Sequence, residues 1–164
     1  MKIDFMNKCE IEHSFSRVAE LINTEIFSPS DLQNPFVKSA FIEVLICMRD
    51  LMYKVERYAS RIDFTDDIVT IPGKVVDVTD LVLYVRNAVC HPESEYHYVD
   101  VSNKIKASYN IAYGKCNLLQ MGDIIIGSDY EDDVCFFFGK QKIYLKRHII
   151  RALKEAKQKL LPLL

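Results

Sequence analysis

Val37, Phe41, Val44, Met48, Leu51, Val55, Tyr58 and Ile62 recur at alternating spacings of four and three. That period lays one apolar stripe along a long, core-forming helix. Asn34-Pro35 just ahead of it supplies a start signal, because an Asn side chain can accept from orphan amides and Pro is pre-set for the first helical position. Upstream, Ile11, Phe15, Val18, Ile22 and Ile26 predict a first helix, closed by the turn-rich run SPSDLQNP, and the two should pack antiparallel. Residues 63–74, DFTDDIVTIPGK, are polar and broken by Pro72 and Gly73, which predicts a loop with at most a short extended piece. Asp77 or Thr79 can cap a third helix, VTDLVLYVRNAVCH, which is apolar on nearly every face except at Asp80, Arg86, Asn87 and His91. Such a helix belongs in the interior. The texture then changes: IKASYNIAYG, MGDIIIGSD and DVCFFFGKQKIYL are β-rich runs between Gly and acidic turns, read as a small antiparallel meander. Helical period returns in Ile149, Leu153, Ala156 and Leu160. The pattern predicts a mainly α (α+β) fold: a helical bundle with its core at about 9–92 and 144–161, and a β insert at about 104–143 before the last helix.

At 164 residues with 49% apolar and 27% charged positions, five Gly and five Pro, the chain suits one domain, 1–164, and is too apolar for large-scale disorder. The net charge is −2, but it is unevenly spread. From Gly139 onward eight Lys/Arg face Glu155 alone, a net +7, so the first 138 residues carry −9. Five cysteines, Cys9, Cys47, Cys90, Cys116 and Cys135, are odd in number and form no CxxC pair, and the N-terminal MKIDFMNKCE has no signal-like apolar stretch. A reducing cytoplasm is the expected location. With no apolar run near the ~18 residues of a membrane span, no membrane partner is expected.

Candidate chemistry concentrates on the third helix, because charged groups on an apolar helix are costly unless they are used. Arg86 and His91 are five residues apart, about 140° of helical rotation, so one regular helix does not point them the same way. Pro92 offers one escape, by ending the helix and freeing His91 from helical direction. A two-fold axis offers the other, by bringing Arg86 and His91 of two copies into one composite cleft.

The string Arg86-Asn87-Ala88-Val89-Cys90-His91, with a polar residue directly after the Arg, resembles the Arg-x4-His signature of HEPN domains. The resemblance implies a HEPN-like helical bundle and a metal-independent, homodimeric endoribonuclease of toxin–antitoxin or phage-defence type. It also implies catalytic Arg86, His91 and Asn87, no cofactor, RNA as substrate and a protein antitoxin as a further partner. In such chemistry the 2'-OH attacks the neighbouring phosphate, so one group removes its proton and another protonates the 5'-oxygen; imidazole suits both roles. Arg86 would hold the phosphate through its planar fork. Many antitoxin-regulated members carry a Tyr two residues after the His; this chain has Glu93 there, with Tyr96 and Tyr98 out of register. A catalytically silent module that dimerises and binds RNA or a protein partner is the second reading.

Other constellations are weaker. Glu93, Glu95 and His97 alternate beside Cys90 and His91 and could bind zinc or manganese, but they match no zinc spacing and read more simply as a solvated loop, so no metal is expected. Cys90 and His91, about 100° apart on a helix, make a poor dyad. Asp129, Glu131, Asp132 and Asp133 read as a solvated turn, and His13 and His148 as surface residues. Lys146, Arg147, Arg151 and Lys154 on the closing helix could contact an RNA backbone; pairing with the acidic body is an equally simple use of their charge.

Overall fold

The computed structural model describes residues 2–91, 93–100, 102, 105–122 and 124–164. Helix α1 (Phe5–Asn23) opens at Asp4, whose side chain takes the Asn7 amide, and buries Ile11, Phe15, Val18 and Leu21. Ile26, assigned to the same stripe from its spacing, lies past the end of the helix. Helix α2 (Val37–Tyr58) buries the stripe from Val37 to Val55, and Asn34 Oδ1 accepts the Phe36 amide at 3.0 Å just before it. The α1–α2 cross-links fix their direction: Arg17 pairs with Glu43, and Lys54 with Glu10, so the late part of each helix meets the early part of the other. Lys54 is buried, which pulls its pKa down, but hydrogen bonds from its ammonium to Glu10 and Asp50 more than offset this and hold it above the usual lysine value. Helix α3 (Val78–Cys90) is capped by Asp77, whose side chain accepts the Asp80 amide. Arg61 clasps Asp77 and Asp80, and Thr79 donates to the Ile62 carbonyl at 2.6 Å, so α3 returns antiparallel beside α2.

Seven short strands follow: β1 (Tyr98–Asp100), β2 (Ile105–Lys106), β3 (Asn110–Tyr113), β4 (Cys116–Met121), β5 (Ile124–Ser128), β6 (Val134–Phe138) and β7 (Gln141–Tyr144). They do not form one meander. Among the described residues β1 pairs β2, β4 pairs β5, and β3, β6 and β7 form a three-stranded sheet in that order, all antiparallel. The β4–β5 hairpin closes on itself, which leaves β3 to pair with β6 beyond it, Ala112 opposite Cys135.

The expected helical bundle with an appended β insert is therefore incorrect; the fold is an α+β mix. The reason lies in β6, which is buried along its whole length. Phe136 and Phe138 face the helices and join the core built by Val18, Phe41, Leu51 and Leu81. Cys135 and Phe137 point the other way, into a second, smaller core with Val99, Ala107, Ala112, Ile126 and Tyr144. The β3–β6–β7 sheet is thus a shared wall between two cores.

A π-helical turn, Leu145–Ile150, leads into α4 (Arg151–Leu160). Two sequence expectations fail here. Asp133 is no solvated turn residue: it is fully buried and accepts the amides of Val134, Lys146 and Arg147 at 2.8, 2.9 and 3.1 Å, anchoring the start of the turn. His148 is no surface residue either. The wide turn directs it inward, where Nδ1 accepts the Tyr144 amide at 3.0 Å, which leaves Nε2 to donate to the Asp66 carbonyl at 3.0 Å.

This arrangement needs a neutral imidazole. Burial lowers the His148 pKa below its ordinary 6.5, with the Asp66 carbonyl opposing. A depressed native pKa means that the unfolded chain binds the proton more tightly, so stability is complete above about pH 6.5 and declines as pH falls toward the native value. Tm measured from pH 7.5 to 5 should drop, and His148→Gln, although destabilised at neutral pH, should flatten the drop; an unchanged pH profile in His148→Gln would rule out this origin.

Candidate functional site

Helix α3 buries Val82, Val85, Ala88 and Val89 against the core, and this anchors a polar patch at its C-terminal end. Arg86 and Asn87 are half-buried there, Cys90 and His91 exposed. Arg86 Nη1 donates to Asn87 Oδ1 at 3.0 Å. The partner is neutral, which sets this arginine apart from Arg17, Arg61, Arg147 and Arg151, all in carboxylate pairs, and from Arg49 and Arg57, which lie over Tyr rings. Among the described residues no carboxylate offsets the Arg86 charge, so the guanidinium can still take an anion. Asn87 uses its oxygen on Arg86, which leaves its amide N–H groups to donate.

His91 is the C-cap of α3, with φ −126 and ψ 88. These are not helical dihedrals, so the imidazole is released from the 140° offset that a regular helix would impose. Pro92, the expected cause, lies outside the described residues. The His91 backbone is held at both ends: its amide donates to the Asn87 carbonyl at 3.1 Å, and its carbonyl accepts the Ser94 amide at 2.9 Å. No hydrogen bond joins the Arg86 and His91 side chains within one chain among the described residues.

A residue weighed in the sequence only as a metal ligand proves to be part of this support. His97 lies in a 3-10 turn, Glu95–His97, is 2% exposed, and places Nε2 3.2 Å from the His91 carbonyl oxygen. A carbonyl only accepts, so Nε2 carries a proton and donates; Nδ1 has no hydrogen-bond partner among the described atoms. Glu93 is almost fully exposed and pairs with Lys106, Glu95 pairs with Lys74, and among the described residues no three His, Cys, Asp or Glu are grouped to hold a metal ion.

The four basic residues assigned to RNA contact are not a free cationic face. Lys146 pairs with Asp132, Arg147 with Asp132 and Asp133, and Arg151 with Asp66 and Glu155. Arg147 also stacks over the Tyr130 ring at 3.5 Å and Arg151 over Phe64 at 3.8 Å. Hydrogen bonds from Arg147 and Arg151 hold Asp132 and Asp66 below the usual carboxylate range. Lys154 is exposed and forms no ion pair among the described residues. Much of the C-terminal charge therefore neutralises the acidic body.

No family model matches this chain, and neither a curated protein nor a solved structure does. Its functional reading rests on the geometry of its own residues. Among the described residues no helix is long and apolar enough to cross a membrane.

Proposed function

We propose that the chain is a metal-independent endoribonuclease that acts as a homodimer, with Arg86 and His91 of both copies converging on one RNA phosphate. The observation that carries this reading is the Arg86 guanidinium held by Asn87 with no carboxylate partner among the described residues, and an exposed, backbone-fixed His91 just beyond it. Arg86 binds the scissile phosphate through two parallel N–H donors and stabilises the additional negative charge of the transition state. Asn87 keeps the guanidinium plane in place and donates its amide to a phosphate oxygen. One His91 removes the 2'-OH proton and the partner's His91 protonates the departing 5'-oxygen, a division of roles that neutral and protonated imidazole can share near pH 7. The likeness of residues 86–91 to the HEPN signature is consistent with this chemistry.

Two measurements test it. Single-stranded RNA incubated with the protein in EDTA should yield 2',3'-cyclic phosphate ends, and light scattering should give twice the 19.0 kDa chain mass. A strict monomer at micromolar concentration removes the composite cleft and overturns the reading; RNA bound but left intact by a dimer replaces it with a silent binding module.

A further inference from the structure

Beside the His91 segment lies a cleft of about 480 Å³, within the size range of small-molecule sites. It is lined by residues 69–72 and by Tyr84, Tyr96 and Tyr98, with Lys74, Glu95 and Lys140 completing the lining. Tyr84 and Tyr96 stack at 4.3 Å between ring centroids, and the Tyr84 hydroxyl donates to the Tyr96 carbonyl at 3.4 Å, which holds that ring pair in place. Burial raises the Tyr84 pKa to about 12, so the hydroxyl keeps its proton. Tyr96 and Tyr98 are half-buried, so part of each remains accessible. Val69 and Lys140 also line an adjoining cavity of about 450 Å³, where the buried Gln141 fixes the 69–72 loop by donating Nε2 to the Val69 carbonyl at 2.6 Å. His97, between the two tyrosines, ties the cleft to the candidate active site by bonding the His91 carbonyl.

The electrostatics of the cleft are modest. Glu95 neutralises Lys74, whereas Lys140 is exposed and forms no ion pair among the described residues. Lys74 lies over the Tyr96 ring at 5.3 Å and Lys106 over the Tyr98 ring at 5.0 Å, flexible side chains that a base would displace. Aromatic surface with one cation unpaired among the described residues suits a stacked base and a single phosphate better than a long polyanion track, because stacking on aromatic side chains tolerates any base and needs little charge.

We propose that this cleft is a nucleotide subsite for single-stranded RNA, with one base seated against Tyr96 and Tyr98 and the adjoining phosphate at Lys140. The choice of RNA rests on the ribonuclease reading above; the geometry of the cleft does not. The test is fluorescence anisotropy with a labelled ten-nucleotide 2'-O-methyl RNA, which lacks the attacking hydroxyl and stays uncut. Tyr98→Ala should weaken binding about tenfold or more and Tyr98→Phe should keep it, since base–aromatic stacking carries the affinity. Lys140→Ala, at an exposed position that puts no burden on folding, should weaken binding about threefold, and Lys154→Ala should leave it unchanged. With one or two phosphates engaged, log K should fall against log salt with a slope of about −1.

Unchanged binding in Tyr98→Ala and Lys140→Ala overturns the subsite, as does a slope of about −4 with the loss appearing in Lys154→Ala, which would assign binding to the basic helix. Failure of the wild type to bind the oligomer also overturns it. Binding through the cleft without cleavage of ordinary RNA leaves the subsite standing and removes only the ribonuclease reading.

Discussion

Replacing Phe136 by Ala is expected to cost about 3–5 kcal/mol, the usual range for emptying a buried Phe site. Its ring is fully buried, lies flat against Phe41 with centroids 3.7 Å apart and planes within 7°, and takes the Phe27 ring edge-on at 5.9 Å. Phe41 belongs to α2 and Phe136 to β6, so the cavity would open on the seam between helices and sheet, where neither layer can collapse without shifting the other. Against a total of about 5–15 kcal/mol for a domain, the loss is a third or more of the stability. Because the seam is shared, unfolding in denaturant followed by helical circular dichroism and by Tyr fluorescence should give one coincident transition in both wild type and variant. A first transition confined to the strands would show that residues 98–144 form a separable unit.

The second large effect concerns rate. His91→Ala should slow RNA cleavage by about 10²–10⁴, the range for a general acid or base, and Arg86→Ala by about 10²–10³, the range for one preorganised donor to transition-state charge. Arg86→Lys should recover little, since an ammonium keeps the charge but loses the bidentate fork. The double variant should lose less than the product of the two, because both residues serve one transition state. Neither substitution should move stability by more than about 0.5 kcal/mol, since His91 is exposed and Arg86 bonds only Asn87 among the described residues. A fall in Tm matching the fall in rate would reassign both residues to the fold.

The helices were readable from the chain because each buries one face: the 4-3 spacing from Val37 to Val55 is the buried face of α2, and the choice between Asp77 and Thr79 as the α3 cap needed only the geometry that Asp77 supplies. The β region was not, for a physical reason. Residues 134–138 are apolar throughout because β6 is buried on both faces, and a continuous run carries no alternation to say which side meets which core. Nor does local sequence encode the pairing of β3 with β6 across the intervening hairpin. His148 sits among Lys146, Arg147 and Arg151 and looks solvent-facing, yet a π-helical turn carries it inward. At the site, Arg86, Asn87 and His91 stood out as polar groups on an apolar helix. The part of His97 was hidden, because it depends on the chain turning back after His91 so that a residue six positions on reaches its carbonyl.

The proposed ribonuclease activity is decided by single-turnover cleavage of a labelled single-stranded RNA in EDTA by wild type and by His91→Ala, purified side by side. Wild-type cleavage should persist in the chelator, end in 2',3'-cyclic phosphate, and fall at least a hundredfold in the variant. Equal rates in the two proteins, or wild-type activity abolished by EDTA and restored by a divalent metal, would contradict it.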